Sequence, residues 1–379
     1  MKKKVLLIFG TRPEAIKMAP VYHALQERAQ SFDVSCCVTG QHREMLDSAL
    51  MTFDIHPDFD LDIMRPGQDL FSVTGSIITK LKDVFSAFQP DIVLIHGDTT
   101  TTLAASIACF YARIDFGHVE AGLRTHNLAS PFPEEFNRRL ASVAAKWHFA
   151  PTQMSKQNLL DEGVASESIH VTGNTVIDAL KFVQHKLQSN YEFSQQIERY
   201  LDSQLNFDWR IDRFLLITGH RRENFGRGFE EICESLRRLA GIYDAVHFVY
   251  PVHLNPHVMG PVHEHLGGLR NVHLIPPLTY EPFVRLLSEC YFVLTDSGGI
   301  QEEAPGLGKP VLVMREQTER PEAVAAGTVK LVGANSDSIV GEVVSLLDNE
   351  HNYEAMSLAH NPYGDGSAAR RIAEVLEND

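Results

Sequence analysis

The sequence predicts an α/β protein of two domains, each a parallel β-sheet wound with helices on both faces. Three observations predict it. Short apolar runs alternate with amphipathic segments, the β-α-β rhythm of a doubly covered sheet. Several runs, Val5–Phe9 among them, are near-continuous in Val, Ile and Leu, as strands buried on both faces are. The rhythm breaks once, over the polar, helix-patterned stretch Gln184–Asp212, and then begins again. A length of 379 residues suits two domains.

In chain order, the first series has candidate strands at Val5–Phe9, Val34–Val38, Asp91–Ile95, Phe116–Val119, His148–Ala150 and Ile169–Val171. Helical patterns fall between them at Glu14–Arg28, Arg43–Met51, Leu70–Phe88, Thr100–Tyr111, Glu134–Lys146 and Ser155–Asp161. The second series has strands at Phe214–Ile217, Val246–Tyr250, Val272–Ile275, Tyr291–Leu294 and Val311–Met314, with helices Gly228–Ala240, Pro282–Glu289 and Ser338–Leu347. The predicted domains are 1–175 and 176–365, with a linker region near 175–212. The tail, 366–377, is a charged amphipathic helix for which packing on either domain is open, a return to the first among them.

Composition narrows the function. Hydrophobic residues are 44% and charged residues 22%, which allows a core of ordinary size without metal or disulfide staples. With 34 Lys and Arg against 49 Asp and Glu, the net charge is −15, which argues against a nucleic-acid surface. Five scattered cysteines with no Cys-x-x-Cys pair point away from zinc and redox motifs and toward a reducing compartment, the cytoplasm by default. The apolar run after Lys2-Lys3-Lys4 is too short for a signal peptide, and no run approaches the 18 or so apolar residues of a membrane span.

The informative motifs follow strands, where open α/β sheets bind ligands. Gly10-Thr-Arg12-Pro-Glu-Ala-Ile-Lys17 is a turn into a helix, with Arg12 and Lys17 flanking a possible anion site; it is neither a dinucleotide fingerprint nor a Walker loop. Asp98, in His-Gly-Asp-Thr-Thr-Thr-Thr, stands at a strand end, where it is either a plain N-cap or a functional carboxylate. Glu120 closes another strand, and Glu134 opens a helix after proline, where the helix dipole also favours a carboxylate. Three carboxylates at one edge of one domain point to acid–base chemistry. In the second series, Gly219-His220-Arg221-Arg222 suits a phosphate or acid–base group. Asp296-Ser297-Gly298-Gly299 opens a helix whose N–H groups suit a diphosphate, with Glu303 placed for a ribose diol and Arg320 available to add charge. His253, His257, His263 and His265 form no recognisable metal motif, so no metal is expected.

The segments FGTRPEAIKMAP, TGQHREML, HGDTTTTLA, GHVEAGLRT, SPFPEE, TGNTVID, TGHRREN, VYPVHLNP, LTDSGGIQEEAP, RPEAV and NPYGDG together closely resemble the non-hydrolysing UDP-N-acetylglucosamine 2-epimerases of bacteria. The resemblance implies two Rossmann-like domains facing across a cleft, the GT-B fold, with UDP in the cleft. It implies a cytoplasmic homodimer that interconverts UDP-GlcNAc and UDP-ManNAc for surface polysaccharide synthesis, with no cofactor. It puts Asp98, Glu120, Glu134 and His220 at catalytic positions and Arg12 and Lys17 at the substrate site. It puts Leu278 and Phe283 beside the uracil, Ser297, Gly298 and Gly299 at the phosphates, Glu303 at the ribose and Arg320 at the nucleotide. Many relatives carry a polar residue where this chain has Leu278, which implies a main-chain contact there. Gln41, His42, Gln68 and Arg221 match a region where some relatives bind a second UDP-GlcNAc as activator; Glu44 departs from a Gln found in some of them.

The implied chemistry is elimination and re-addition of UDP. The hydrogen on carbon 2 has no adjacent carbonyl, so direct exchange is slow. Loss of UDP makes that proton acidic and leaves 2-acetamidoglucal. Reprotonation on the other face then requires a second acid–base group. Which carboxylate serves which face is open at this level. The rival expectations are a hydrolysing relative, a GT-B glycosyltransferase and a non-enzymatic UDP-sugar sensor, because fold does not fix function.

Overall fold

The structure is a computed structural model that describes residues 2–40, 43–65 and 67–379; the side chains of Arg43 and Glu44 lie outside it. The chain divides into two compact units, Met1–Phe182 with Tyr363–Asp379, and Val183–Pro362.

In the first unit the apolar run after Lys4 becomes β1 (Lys3–Phe9), buried from Val5 to Phe9. The other strands are β2 (Phe32–Val38), β3 (Phe59–Asp60), β4 (Ile92–His96), β5 (Asp115–Val119), β6 (Trp147–Ala150) and β7 (Ile169–Val171). They form one sheet in the order β3-β2-β1-β4-β5-β6-β7, with every pair parallel. Successive side chains of a strand face opposite sides. Leu6 and Ile8 of β1, with Val93 and Ile95 of β4, meet the helices Leu70–Phe88 and Thr100–Ala112 in one apolar cluster. The helix Arg12–Gln26 packs against Arg43–Thr52 and the closing helix Ala368–Asn378. That closing helix is capped by Asp178, which accepts from Ala368 N at 3.2 Å and Ala369 N at 2.9 Å.

The second unit repeats the scheme. Its strands are β8 (Phe214–Thr218), β9 (His247–Pro251), β10 (Val272–Ile275), β11 (Phe292–Thr295), β12 (Val311–Val313) and β13 (Val329–Leu331). All are parallel, in the order β10-β9-β8-β11-β12-β13. The helices Arg227–Ile242, Pro256–Leu266 and Ser336–Asp348 cover Leu215, Ile217, Phe248, Tyr250 and Leu294. In both sheets the strand order reverses beside the first strand, at β1/β4 and at β8/β11. Such a switch point opens a crevice at the carboxyl ends of the strands.

The predicted fold class of two parallel-sheet α/β domains is what forms. The differences are local. β3 is two residues long and β13 three, too short to show alternation. The stretch after Gln184 is helical as its pattern predicts: helices Thr175–Ser189 and Tyr191–Gln204 run nearly end to end, and Asn190 caps the second by accepting from Phe193 N at 3.0 Å. Helix Pro256–Leu266 escaped prediction because Pro261, three histidines and Gly260 interrupt its apolar pattern. Among the described residues, no helix is long and apolar enough to cross a membrane. All five cysteines are free and buried.

Candidate active site

In the first unit the site grows from the ends of β1, β4 and β5. Gly10 must be glycine, because a Cβ there would lie 1.9 Å from Thr39 Oγ1. Thr11 caps the helix Arg12–Gln26 in a capping box with Glu14. The buried Glu14 carboxylate accepts from Gly10 N at 2.9 Å, Thr11 N at 2.8 Å and the Thr99 hydroxyl at 2.6 Å. Glu14 therefore ties the turn after β1 to the turn after β4 and takes N–H groups that an external anion would otherwise meet. Burial raises its pKa against these lowering hydrogen bonds. Arg12 is the first residue of the same helix and is half-buried.

Glu120 follows β5 with φ at 63°, the left-handed region that side chains rarely adopt. Its Oε2 meets Lys17 Nζ, and Asn174 Nδ2 donates to the same oxygen at 2.9 Å. His96 Nε2 lies 3.9 Å away. Burial pushes His96 down to about 4, and the Glu120 charge offsets only part of that. The imidazole is therefore neutral at neutral pH.

Asp98 and Glu134 are joined by an arginine that the sequence reading passed over. Arg138, one turn into the helix Glu134–Ala144, places Nη2 2.9 Å from Asp98 Oδ2, and its Nε donates to the Glu134 carbonyl at 3.4 Å. Asn137 Nδ2 donates to the Asp98 carbonyl at 2.9 Å. Glu135 is fully buried and holds the preceding loop, accepting from Thr125 N at 3.0 Å and His126 N at 3.2 Å. One helix start thus clamps both the Asp98 turn and the 125–126 loop. The Glu134 carboxyl is half-buried and meets no cation among the described residues.

In the second unit, the turns after β8 and β11 are locked by Asp296, which is fully buried. Its carboxylate accepts from His220 N at 2.9 Å, Arg221 N at 2.8 Å and Asn224 Nδ2 at 3.3 Å. The His220 ring keeps 41% exposure, lies 3.6 Å from Asp296 Oδ1 and stacks on His253 at 5.5 Å. Burial lowers its pKa, Arg221 and His253 add to that, and Asp296 opposes it.

Ser297 precedes the short helix Gly298–Glu303. Two guanidinium groups converge on Gly298: a Cβ there would sit 3.3 Å from Arg320 Nη1 and 3.5 Å from Arg221 Nη2. A Cβ on Gly299 would meet nothing within 4 Å. Arg320 is held by Glu302, Nε to Oε1 at 2.9 Å. Its neighbour Glu319 falls to about 2, because Arg315 and Arg320 outweigh the raising effect of burial. Glu303 is buried and accepts from Tyr280 Oη at 3.1 Å. Leu278 is buried just before the helix Tyr280–Glu289, which carries the half-buried Phe283.

The structure therefore groups Lys17, Asp98, Glu120 and Glu134 around strand ends of the first unit, and His220, Ser297, Gly298, Gly299 and Arg320 around those of the second. Arg221, read with the activator region, stands with Arg320 at Gly298. Gln68 accepts from Arg65 N at 2.8 Å in the loop before Leu70–Phe88. Gln41 and His42 lie outside the described residues. Sequence reasoning missed Arg138, Asn174, Tyr280 and the locking role of Asp296. Asp296 had a signal, a carboxylate directly after a strand and before a Gly-Gly turn; Asn174 had a weaker one, an asparagine between a strand and a helix.

The chain matches a family model described as UDP-N-acetylglucosamine 2-epimerase over residues 23–377. It is 57% identical to the UDP-N-acetylglucosamine 2-epimerase of Escherichia coli K12 over 376 residues, 99% of each chain. The crystal structure of a UDP-GlcNAc 2-epimerase from Neisseria meningitidis, bound to UDP-GlcNAc, superposes with a TM-score of 0.91 at 52% identity, covering 99% of this chain and 100% of that one. The Methanocaldococcus jannaschii UDP-GlcNAc 2-epimerase, in complex with UDP-GlcNAc and UDP, superposes at 0.82 with 30% identity, covering 99% and 100%.

Proposed function

The chain belongs to the UDP-N-acetylglucosamine 2-epimerase family, and on that premise we propose that it interconverts UDP-GlcNAc and UDP-ManNAc by eliminating UDP and adding it back. The anomeric C–O bond breaks and UDP leaves with its electron pair. The carbon 2 proton passes to a carboxylate, and its bonding pair closes the double bond of 2-acetamidoglucal. Proton delivery to the opposite face and return of UDP to carbon 1 give the epimer.

The observation that carries this reading is the differential pairing of the three carboxylates. Glu120 rests against Lys17 and Asp98 against Arg138, so each has a cation beside it. Glu134 meets no cation among the described residues, which suits it to take up and return a proton without breaking an ion pair. Glu120 is assigned as the opposing acid–base group, and Asp98 as a fixed charge facing the developing oxocarbenium. Arg12 serves the substrate in the first unit. In the second, Arg221, Arg320, His220 and the turn Ser297–Gly299 stabilise the leaving diphosphate, Glu303 takes the ribose, and Phe283 with the main chain at Leu278 takes the uracil. No cofactor enters this chemistry.

The enzyme works in this reading as a homodimer in the cytoplasm, supplying ManNAc units for surface polysaccharide. Exposed Phe110 and Tyr111, with Phe136, Leu140 and Val143 on the neighbouring helix, support a self-association face. The free, buried cysteines support a reducing compartment.

The test is incubation with UDP-GlcNAc in deuterium oxide, without acceptor, followed by NMR. UDP-ManNAc carrying deuterium at carbon 2 is the expected product. Product without solvent deuterium overturns elimination. Free ManNAc identifies a hydrolysing enzyme instead, and turnover that requires an acceptor identifies a glycosyltransferase.

A further inference from the structure

Two sequence segments have no task in the mechanism above, Thr172-Gly-Asn-Thr-Val-Ile-Asp178 and Asn361-Pro-Tyr-Gly-Asp-Gly366. They meet in the first unit. We propose that Asn174 is a positioning residue for Glu120, fixed in turn by the main chain of Tyr363. The proposal rests on the reading of Glu120 as an acid–base group.

Asn174 follows β7 and is 3% exposed. It is anchored twice before it touches Glu120. Its main-chain N–H donates to the Tyr363 carbonyl at 2.8 Å, and its Oδ1 accepts from Val176 N at 3.0 Å. Because Oδ1 takes that N–H, the amide NH2 group is turned toward Glu120 Oε2, 2.9 Å away. The backbones approach so closely that glycine is needed on both sides. A Cβ on Gly173 (φ 93°) would lie 3.3 Å from the Tyr363 carbonyl oxygen, and one on Gly364 (φ 107°) would lie 3.2 Å from Gly173 Cα. Arg371 of the closing helix ties the two segments together, donating to the Thr172 carbonyl at 2.9 Å while pairing with Asp365 at 2.8 Å. Lys181 Nζ donates to the Asp365 carbonyl at 2.6 Å.

The division of labour follows from how Lys17 and Asn174, both among the described residues, donate to Glu120. Lys17 brings a compact charge whose three donors can rotate, so it fixes the direction of the carboxylate weakly. Asn174 is neutral, buried and doubly anchored, so it sets direction. Glu120 needs such a hold because its backbone is in the left-handed region. Among the described residues His96 also faces it, and burial keeps that imidazole neutral.

Asn174→Asp is the decisive variant. It keeps the acceptor for Val176 N and the bond to Tyr363, and exchanges only the donor facing Glu120 for a carboxylate oxygen. The expected result is a loss of about 10- to 100-fold in kcat with KM within about twofold, the pattern of a misaligned reacting group. The acid limb of the kcat/KM profile should move up by about one pH unit, because a like charge favours protonated Glu120. Wild-type kcat with an unmoved acid limb overturns the proposal. A second measurement adds Asn174→Ala to Glu120→Gln. If Asn174 acts through Glu120, the added change leaves the residual rate within about twofold; a multiplied loss overturns the proposal. Calorimetric UDP binding by each variant controls for folding. If Glu120→Gln alone keeps full turnover, the catalytic reading of Glu120 fails, separately from the role of Asn174.

Discussion

Asp296 turns its buried carboxylate onto the main-chain N–H groups of His220 and Arg221, so the ends of β8 and β11 are held by one side chain. An acidic residue here organises the turn proposed to meet the diphosphate. It aims the turn that carries the His220 ring and the Arg221 guanidinium.

Asp296→Asn exchanges an oxygen that accepts for an NH2 group that cannot. An unsatisfied buried N–H costs about 1–3 kcal/mol. The expected outcome is a loss of stability of that size in denaturant titration, with weakened UDP binding in calorimetry. An unchanged UDP affinity would show that the turn keeps its aim without the carboxylate.

Arg138→Ala strips the cation from Asp98 and from Glu135, which lies 3.7 Å from Arg138 Nε. Breaking a pair of this burial destabilises by about 3 kcal/mol. Turnover should fall far more than UDP affinity, since the groups assigned to UDP lie in the other unit. Arg138→Lys keeps the charge but loses the fork that reaches both partners, and should fall between the two.

Gly298→Ala separates folding from binding. The new Cβ would press on the Arg320 guanidinium at 3.3 Å, a side-chain end able to shift. Alanine is also the better helix former by up to about 1 kcal/mol. Thermal melting should therefore hold or rise, while UDP affinity falls about tenfold, the equivalent of about 1.4 kcal/mol.

His118 makes stability sensitive to acid. Burial pushes its pKa from the ordinary 6.5 to about 3, and its Nε2 faces the Gly97 carbonyl at 2.7 Å. Below pH 6.5 the unfolded chain takes up a proton that the folded protein refuses until near pH 3. Stability is thus lost as pH falls through that window, at about 1.4 kcal/mol per pH unit from this residue. In His118→Gln, the slope of unfolding free energy between pH 6 and 4 should drop by about that amount.

Gly122→Ala tests a part of the Gly-His-Val-Glu-Ala-Gly segment that serves packing. A Cβ there would lie 2.2 Å from the Ser155 carbonyl oxygen, at a φ of 92°. Rigid backbone cannot yield as the Arg320 side chain can, so a loss of about 3 kcal/mol or more is expected in thermal melting.

How far the sequence reaches depends on the range of the interaction. The long strands were legible because burial on both faces leaves unbroken apolar runs such as Leu6–Ile8. Motifs after those strands could be placed because open sheets present their carboxyl ends to ligands. β3 and β13 left no period to read. The partners of the carboxylates were hidden for another reason. Arg138 reaches Asp98 across 40 positions and Asn174 reaches Glu120 across 54, and no local pattern encodes a side chain meeting so distant a partner. Glu14 shows the converse: its capping box is local and readable, but its grip on Thr99 is not.

The first unit closes with residues 363–379, which are made after the whole of the second unit. During synthesis, then, the half of the protein that emerges first is the half finished last. Until Tyr363 arrives, the Asn174 main-chain N–H lacks its acceptor, and the Asp178 carboxylate lacks the helix end it caps. The helix that completes the first unit therefore arrives only after the second unit has had time to fold.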